Sequence, residues 1–280
     1  MPIVRVGESG SYTGEHSISF RTKTFNGSWG NWINTNTDWH LVPASRPVVN
    51  PPSVKVKTID NPGGDGVIDL TESVTGFPLY DQRTGSWEFY VLNDWVKWQD
   101  RYEEILNELH GKNVQAILND DKEYYYNGRV TVNQWTSDKD HSKITLDYNF
   151  DPYKLSRMLS TEPGWLWDPF NFNTDVISYL RFKEIKVPNN KTLTIKISGA
   201  EVGRKPVTPE FVVSSGTCKT IRLYNKELNG KGYVEKTKVH SGSNHWMDMI
   251  LTGFSASNQN EIRITGTDCV MSIVYRAGKL

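Results

Sequence analysis

The feature that most limits the fold of this chain is a recurrence of short runs in which apolar and polar residues alternate, with Gly, Pro, Asn and Asp between them. Alternation with a period of two residues is typical of half-buried β-strands, whereas an amphipathic helix repeats every 3.6 residues. The 10 Trp and 13 Tyr residues also favour strands, because aromatic side chains fit the pleated surface of a sheet. We therefore predict a mainly β protein.

One stretch alone carries a convincing helical period. Apolar residues recur there at intervals of three and four positions, at Trp98, Tyr102, Ile105, Leu106 and Leu109. This spacing places them on one face of an amphipathic helix. Asp94 is a candidate N-cap and Gly111 a candidate terminating residue. We expect this helix to lie on a sheet.

Strands are predicted on both sides of the helix. Before it, Trp87, Phe89 and Val91 alternate with polar neighbours, and the run VKVKTI at 54–59 is also predicted as a strand. After it, residues 113–135 predict a hairpin that turns at 119–122, with Gly128 as a β-bulge. A type I′ turn at Asn127 and Gly128 is the alternative. The next predicted strand covers 141–150 and carries Ile144, Leu146 and Tyr148 on one face.

A change of pattern near residue 155 indicates a domain boundary. The stretch 152–172 lacks a period and contains Pro163, Gly164 and Pro169, as connectors between domains often do. We predict an α+β domain at 1–155, with a sandwich-like or barrel-like sheet, one helix and a long hairpin. About eight strand runs and no helix follow between 172 and 280, which predicts a β-sandwich domain at 156–280. The predicted runs include 208–214, 219–225, 245–253, 260–266 and 269–277.

Charge and composition exclude several classes of protein. Lys plus Arg and Asp plus Glu both number 32, so no basic excess favours nucleic acid. The amino terminus lacks the apolar core of a signal peptide, and no run approaches the ~20 apolar residues of a membrane span. Cys218 and Cys269 are too few for a disulfide scaffold or a thiolate metal site, and we expect both to be buried as small hydrophobic residues.

The glycine cluster in NPGGDGVIDLTE, at 61–72, raises the possibility of a phosphate-binding loop. A P-loop requires Lys followed by Ser or Thr after its last glycine, and a dinucleotide fingerprint requires a following helix. Here VIDL follows Gly66, which fits neither motif. We predict instead a turn in which Gly63, Gly64 or Gly66 has positive φ and Asp65 hydrogen-bonds the backbone.

Other candidate sites are also weak. The carboxylates in the glycine-rich region lack the order of a calcium loop, and an exposed acidic turn explains them better than a hydrolase pair; they are Asp60, Asp65, Asp69 and Glu72. His240 and His245 have no third metal ligand nearby. We therefore expect no catalytic, cofactor or metal residues and no enzyme activity. Trp165, Trp167 and Trp246 are a candidate sugar-stacking platform, although such residues more often seal a core or an interface.

Several quoted segments together resemble the distal tail protein (Dit) of long-tailed, non-contractile bacteriophages. These segments are DWHLVPASRPVVNPP, IDNPGGDGVIDLTE, YDQRTGSWEF, the single helix ending in Gly-Lys, YYYNGRVTV and DPYK. The resemblance covers residues 38–154. Its most specific part is PG-x-DG-x-x-DLTE, with an Arg soon after it and an aromatic strand beyond.

The resemblance implies a structural virion protein at the tail tip, assembled in the host bacterial cytoplasm. Members form a homo-hexameric ring that joins the tail tube protein to a tip or fibre protein, and the genome and the tape-measure protein pass through its lumen. Their carboxy-terminal domain is typically a galectin-like or carbohydrate-module-like sandwich, on which receptor-binding proteins are candidate partners. Two alternatives stay open: a carbohydrate-binding module that uses Trp246, and a glycoside hydrolase.

Overall fold

The computed structural model describes most of the chain, in the stretches 16–91, 98–133, 135–137, 142–162, 181–225, 228, 232–255 and 259–280. The chain divides into two compact units, Met1–Lys154 and Leu155–Leu280. Strands dominate both units, so the prediction of a mainly β protein is confirmed.

The described residues of the first unit form ten strands and one helix. They are β1 (Ile18–Thr22), β2 (Ile33–Asn34), β3 (Leu41–Pro43), β4 (Thr58–Asp60), β5 (Val67–Asp69), β6 (Arg83–Val91), α1 (Trp98–Leu109), β7 (Asn113–Leu118), β8 (Tyr124–Val132), β9 (Thr136–Ser137) and β10 (Ser142–Phe150). Seven of them form a curled sheet in the order β2-β1-β7-β8-β10-β6-β3, and β9 pairs with β10. The pairs along this order are antiparallel.

Alternation along the central strands sorts side chains between core and solvent as predicted. On β6, Trp87 and Phe89 are buried while Glu88 between them is exposed. On β10, Ile144, Leu146 and Tyr148 are buried. Because successive side chains on a strand point to opposite faces, one face of the sheet is apolar and forms the core. The predicted strands around 87–91 and 142–150 are confirmed.

The predicted helix is confirmed as α1, which packs against β8. Ile105 and Leu109 are fully buried in the core of the first unit, and Trp98 and Tyr102 pack against its edge. Gly111 has φ +70°, the left-handed conformation that terminates many helices. The predicted cap Asp94 lies outside the described residues.

The hairpin turns where it was predicted, but Gly128 is not a bulge. β7 ends at Leu118 and β8 begins at Tyr124, so residues 119–123 form the turn. Gly128 lies inside β8 and pairs in regular register with Val114 and Phe150. A Cβ at Gly128 would lie 2.1 Å from the backbone oxygen of Asn149. Glycine is therefore required by a close strand approach, which the sequence signal did not distinguish from a bulge.

The second unit is built around two long strands. Its elements are β11 (Lys154–Ser156, which spans the division), β12 (Ile185–Lys186), β13 (Thr192–Ser198), α2 (Gly199–Val202), β14 (Glu210–Asn225), β15 (Val234–Lys236), β16 (Gly242–His245), β17 (Gln259–Val274) and β18 (Gly278–Lys279). β14 and β17 pair along their length, β12 and β13 both flank β17, and β15 and β16 both flank β14. The six strands form one antiparallel sheet.

Bulges bend this sheet so that both of its halves contribute to one core. The register of β14 against β17 shifts three times between Val213 and Thr220. Phe211 and Met271, on one side of the bulges, belong to the same buried cluster as Ile221 and Ile264 on the other side. Bulges increase the local twist and bend the strands. Because β14 and β17 bend in this way, each of them runs through both halves of the folded sheet.

Several strand predictions in the second unit were wrong in detail. The runs 208–214 and 219–225 form one strand, β14, and the runs 260–266 and 269–277 meet in β17. Gly216, which lies between the first two of these runs, has φ +70° at a bulge within β14. Residues 246–253 are not a strand. In the first unit, only Thr58 and Ile59 of the predicted run 54–59 lie in a strand, β4.

The prediction that the second unit has no helix was also wrong. α2 is a single turn with a capping box, in which the Ser198 hydroxyl accepts from Glu201 N and the Glu201 carboxylate accepts from Ser198 N. A four-residue helix is too short to show a hydrophobic period, so pattern analysis overlooks it. The Ser-x-x-Glu motif was the available signal.

Candidate subunit interface

Residues 51–82 leave the sheet of the first unit as an extended structure, here called the arm. Within it β4 and β5 pair with each other as a two-stranded sheet, with Ile59 opposite Ile68. Backbone hydrogen bonds extend the ribbon towards its base, from Lys55 N to Leu79 O at 2.8 Å and from Asp81 N to Ser53 O at 2.8 Å. Every residue of the arm is exposed or half-buried.

The glycine cluster forms the tip of the arm between β4 and β5. Gly63 has φ +82° and Gly66 has φ +79°, so the predicted positive φ is confirmed. The hydrogen bond predicted from Asp65 to the backbone is not found among the described residues. The space around both glycines is open, since a Cβ at either would have no atom within 4 Å. Backbone conformation, and not crowding, is therefore the reason for glycine at these two positions.

A buried arginine anchors the base of the arm. Arg83 donates from Nη1 to Asn50 O at 3.0 Å and from Nε to Pro152 O at 2.8 Å. Asn50 in turn donates from Nδ2 to Thr84 O at 2.9 Å, which ties the two chain segments at the base together. Burial lowers the pKa of the Arg83 guanidinium. The backbone oxygens thus fix a charged group that the core would otherwise disfavour.

Two core aromatic residues reinforce this base. Trp87 Nε1 donates to Val48 O at 2.8 Å, and Tyr148 Oη accepts from Asn50 N at 2.9 Å. Burial raises the pKa of Tyr148, although the hydrogen bond from Asn50 opposes the effect. Both rings pack in the hydrophobic core at a centroid distance of 4.4 Å. The arm therefore projects from a firmly held base.

The arm exposes many large apolar side chains to water. Seven large hydrophobic side chains on it are between 43% and 90% exposed: Val54, Val56, Ile59, Val67, Ile68, Val74 and Leu79. A two-stranded hairpin is at best marginally stable alone in water, and contiguous exposed apolar patches mark interaction surfaces. The arm is therefore the strongest candidate interface among the described residues.

The acidic residues singled out in the sequence all lie on this arm. Asp60, Asp65, Asp69 and Glu72 are exposed. Asp69 Oδ1 accepts from Thr71 N at 2.8 Å, and hydrogen bonds from Thr71 hold the pKa of Asp69 below its usual range. This carboxylate shapes the turn that follows β5, the local role typical of Asp beside a turn.

The other predicted site residues occupy structural positions where they are described. His245 Nε2 hydrogen-bonds Thr208 Oγ1 at 2.8 Å, and the backbone N of His240 donates to Asn244 Oδ1 at 2.9 Å. Trp246 packs on Phe211 with ring centroids 5.9 Å apart. Trp165 and Trp167 lie outside the described residues.

Three features concern metals, thiols and membranes. Within the described stretches, no group of three His, Cys, Asp or Glu side chains could hold a metal ion. Cys218 and Cys269 are both buried, as predicted, and they form no disulfide with each other. Burial raises the pKa of the Cys218 thiol to about 12. Neither helix in the described part of the chain has the length and apolar character that a membrane crossing requires.

The fold of this chain is similar to that of a protein of known structure. One solved structure similar to this chain is the Dit protein (gp 19.1) of SPP1, described as a paradigm of the hub adsorption apparatus in phages that infect Gram-positive bacteria. The TM-score is 0.53 at 13% sequence identity, over 94% of this chain and 99% of the other. No protein-family model matches the sequence, and no curated protein matches it. A mainly β, Dit-like fold, as the resemblance implies, is confirmed.

Proposed function

We propose that this chain is a structural protein of a bacteriophage tail tip, where six copies form a ring. The fold is similar to that of a phage hub protein over 94% of the chain, which supports a tail role. In this proposal the ring joins the tail tube protein to a tip or fibre protein. The genome and the tape-measure protein pass through the lumen.

The exposed apolar arm is the observation that carries the proposal. A closed ring needs a heterologous contact, in which one surface of a subunit meets a different surface of the next subunit. An arm with seven exposed apolar side chains and a fixed base provides one of these surfaces. Its apolar area would leave water on assembly, and this is the main driving force for permanent association.

The balanced charge of the chain agrees with a conduit for DNA. Binding to DNA gains free energy when cationic side chains release counterions from the phosphates. With 32 cationic and 32 anionic residues, the chain has no net charge to drive such binding. DNA would therefore pass through the ring without being held.

In this proposal the two units have different roles. Residues 1–155, which carry the arm, form the ring, and residues 156–280 face outward as a galectin-like domain that receives receptor-binding proteins. We propose no catalytic role. The alternative of a sugar platform at Trp246 is not favoured, because that ring packs on Phe211.

Electron micrographs and light scattering of arm variants test the proposal. Wild-type protein is expected to form annuli with six-fold symmetry. Replacing both Ile59 and Ile68 by Asp puts two charges on the arm and is expected to give monomers, because a buried unpaired charge is strongly unfavourable. Met247→Asp, at a side chain that is 75% exposed in the second unit, is the matched control and should keep the ring. Monomeric wild-type protein, or rings that survive both arm substitutions, would refute the proposal.

A further inference from the structure

The second unit holds the two cysteines of the chain in one core. Cys218 lies on β14 and Cys269 on β17, far apart in sequence, yet both belong to the same buried cluster. They are 4% and 1% exposed, and both are free thiols. The sequence contains 2 cysteines in all, so thiol chemistry within one copy of the chain involves this pair.

The bulges between β14 and β17 lie at the two cysteines. Cys218 pairs with Gly266 of β17, and the register shifts on both sides of Cys218. Asp268 and Cys269 lie in the bulge on β17, where Asp268 has φ +46°. Because a bulge bends its strand and re-aims the side chains beside it, Cys269 does not follow the regular alternation of the ladder.

The glycine opposite Cys218 leaves the space in which the two side chains meet. A Cβ at Gly266 would lie 2.8 Å from the Cβ of Cys269 and 3.6 Å from the Cα of Cys218. The side chain of Cys269 therefore lies over Gly266, beside the residue that Gly266 faces. Paired Cα atoms on antiparallel strands are ~4.5–5.5 Å apart, and the Cα atoms of bridged cysteines are usually ~4.4–6.8 Å apart. The two thiols are thus within reach of a covalent bond.

The two thiols are close enough to affect each other's ionisation. Burial raises the pKa of Cys218, and the charge of a Cys269 thiolate and a hydrogen bond to it add to the rise. Burial also raises the pKa of Cys269, but the hydrogen bond from Cys218 lowers it. Since the thiolate is the reactive form of cysteine, Cys269 is the thiol of the pair that reacts first.

The backbone around the pair is fixed, whereas the sulfur of Cys218 is held only by long contacts. Cys269 O accepts a hydrogen bond from Val187 N at 2.9 Å. The Cys218 sulfur lies 3.8 Å from Thr265 O and 4.0 Å from Thr220 O. A thiol is a weak donor, so these contacts cost little free energy to break. The strands therefore hold the two cysteines together without committing their sulfur atoms to other partners.

We propose that Cys218 and Cys269 form a disulfide within the folded chain when the protein meets a peroxide. The Cys269 thiolate attacks one peroxide oxygen, the O–O bond breaks, and a sulfenic acid and one water result after proton uptake. The Cys218 sulfur then attacks the sulfenic sulfur, so that the S–S bond forms, the S–O bond breaks and a second water leaves. Overall the two thiols lose two electrons and two protons, and one peroxide is reduced to two waters.

The bond would join β14 to β17 beside the bulges at which the sheet bends. A disulfide between residues distant in sequence restricts the unfolded chain and so favours the folded state. A reducing cytoplasm keeps thiols unbridged, so the bond forms once the protein reaches an oxidising medium. The inference concerns the second unit alone and does not depend on ring formation.

Peroxide treatment of the reduced full-length protein tests this inference. After treatment with hydrogen peroxide the protein is unfolded with an alkylating agent and digested without reductant. Mass spectrometry is expected to find one linked pair of peptides that contains Cys218 and Cys269, without alkylation. Dithiothreitol reverses a disulfide but not methionine oxidation, so thermal unfolding is compared before and after reduction of the treated protein. The midpoint is expected to be higher by about 5 °C or more while the bond is present.

Cys218→Ala and Cys269→Ala are the matched controls, because each variant keeps one thiol. Neither should give a link within one chain, and reduction should leave the unfolding midpoint of each treated variant unchanged. Four results would overturn the inference: two alkylated thiols in the treated wild type, oxidation to sulfinic acid in place of the bond, a bond that forms in urea but not in the folded protein, or a bond that leaves the midpoint unchanged.

Discussion

A buried polar network in the second unit gives a sharp prediction for stability. Asn225, Thr252 and Asn260 are 0% to 1% exposed. The Asn260 side chain donates to Thr252 O at 2.9 Å and to Ile197 O at 3.2 Å, and it accepts from Thr252 N and from Asn225 Nδ2, both at 3.0 Å. This one amide therefore connects β17 with β13, β14 and the segment around residue 252.

Asn260→Ala removes four hydrogen bonds at once. A typical intramolecular hydrogen bond contributes about 1 kcal/mol net, and an unsatisfied buried group costs about 1–3 kcal/mol. We expect a loss of about 3–5 kcal/mol in the free energy of unfolding of the second unit, which is a large fraction of the stability of an ordinary domain.

Urea unfolding monitored by far-ultraviolet circular dichroism measures this loss as a fall in the midpoint at constant slope. Gln259→Ala, at the exposed neighbouring position on the same strand, is the control and should change the free energy by less than about 0.5 kcal/mol. If Asn260→Ala lost no more than its control, the network would not hold these segments together and the reasoning would be wrong.

Three further predictions concern the first unit. Gly128→Ala should destabilise it by about 2 kcal/mol or more in thermal unfolding, because a Cβ there would lie 2.1 Å from a backbone oxygen of β10. Gly66→Val should impair ring assembly in light scattering, because valine strongly disfavours the φ of +79° at the arm tip. Burial opposes ionisation of Asp120, yet a hydrogen bond from Arg46 at 2.6 Å keeps the Asp120 pKa below its usual range. The stability that the Asp120 carboxylate gives the folded state is present above about pH 4 and is lost as the pH falls further. Asp120→Asn should therefore reduce the fall in the free energy of unfolding on the acid side when this free energy is measured as a function of pH.

Local sequence patterns predicted the elements whose structure is determined by residues close to one another in the chain. The helix α1 repeats apolar residues over three turns, and β6 and β10 alternate over nine residues each, so period alone identified them. The turn at 119–123 and the positive φ at Gly63 and Gly66 followed from turn chemistry. In each case the determining interactions lie within a few residues along the chain.

Features that depend on distant partners were not predictable in this way. The need for glycine at position 128 arises from β10, about 20 residues later, and the bulges that join two predicted strands into β14 depend on pairing with β17. The position of Arg222 opposite Arg263 is likewise set by the register between β14 and β17. The exposed arm could have been suspected, since Val54 and Val56 alternate with Lys55 and Lys57 near three prolines, but only the fold shows that nothing in the described first unit covers them.

The mass of the purified wild-type protein in solution, measured by light scattering after size-exclusion chromatography over a range of concentrations, tests the central claim most directly. Assembly through the exposed arm predicts one species with six times the mass of the chain. A single copy at every concentration, in a sample whose circular dichroism shows folded β structure, would contradict the claim.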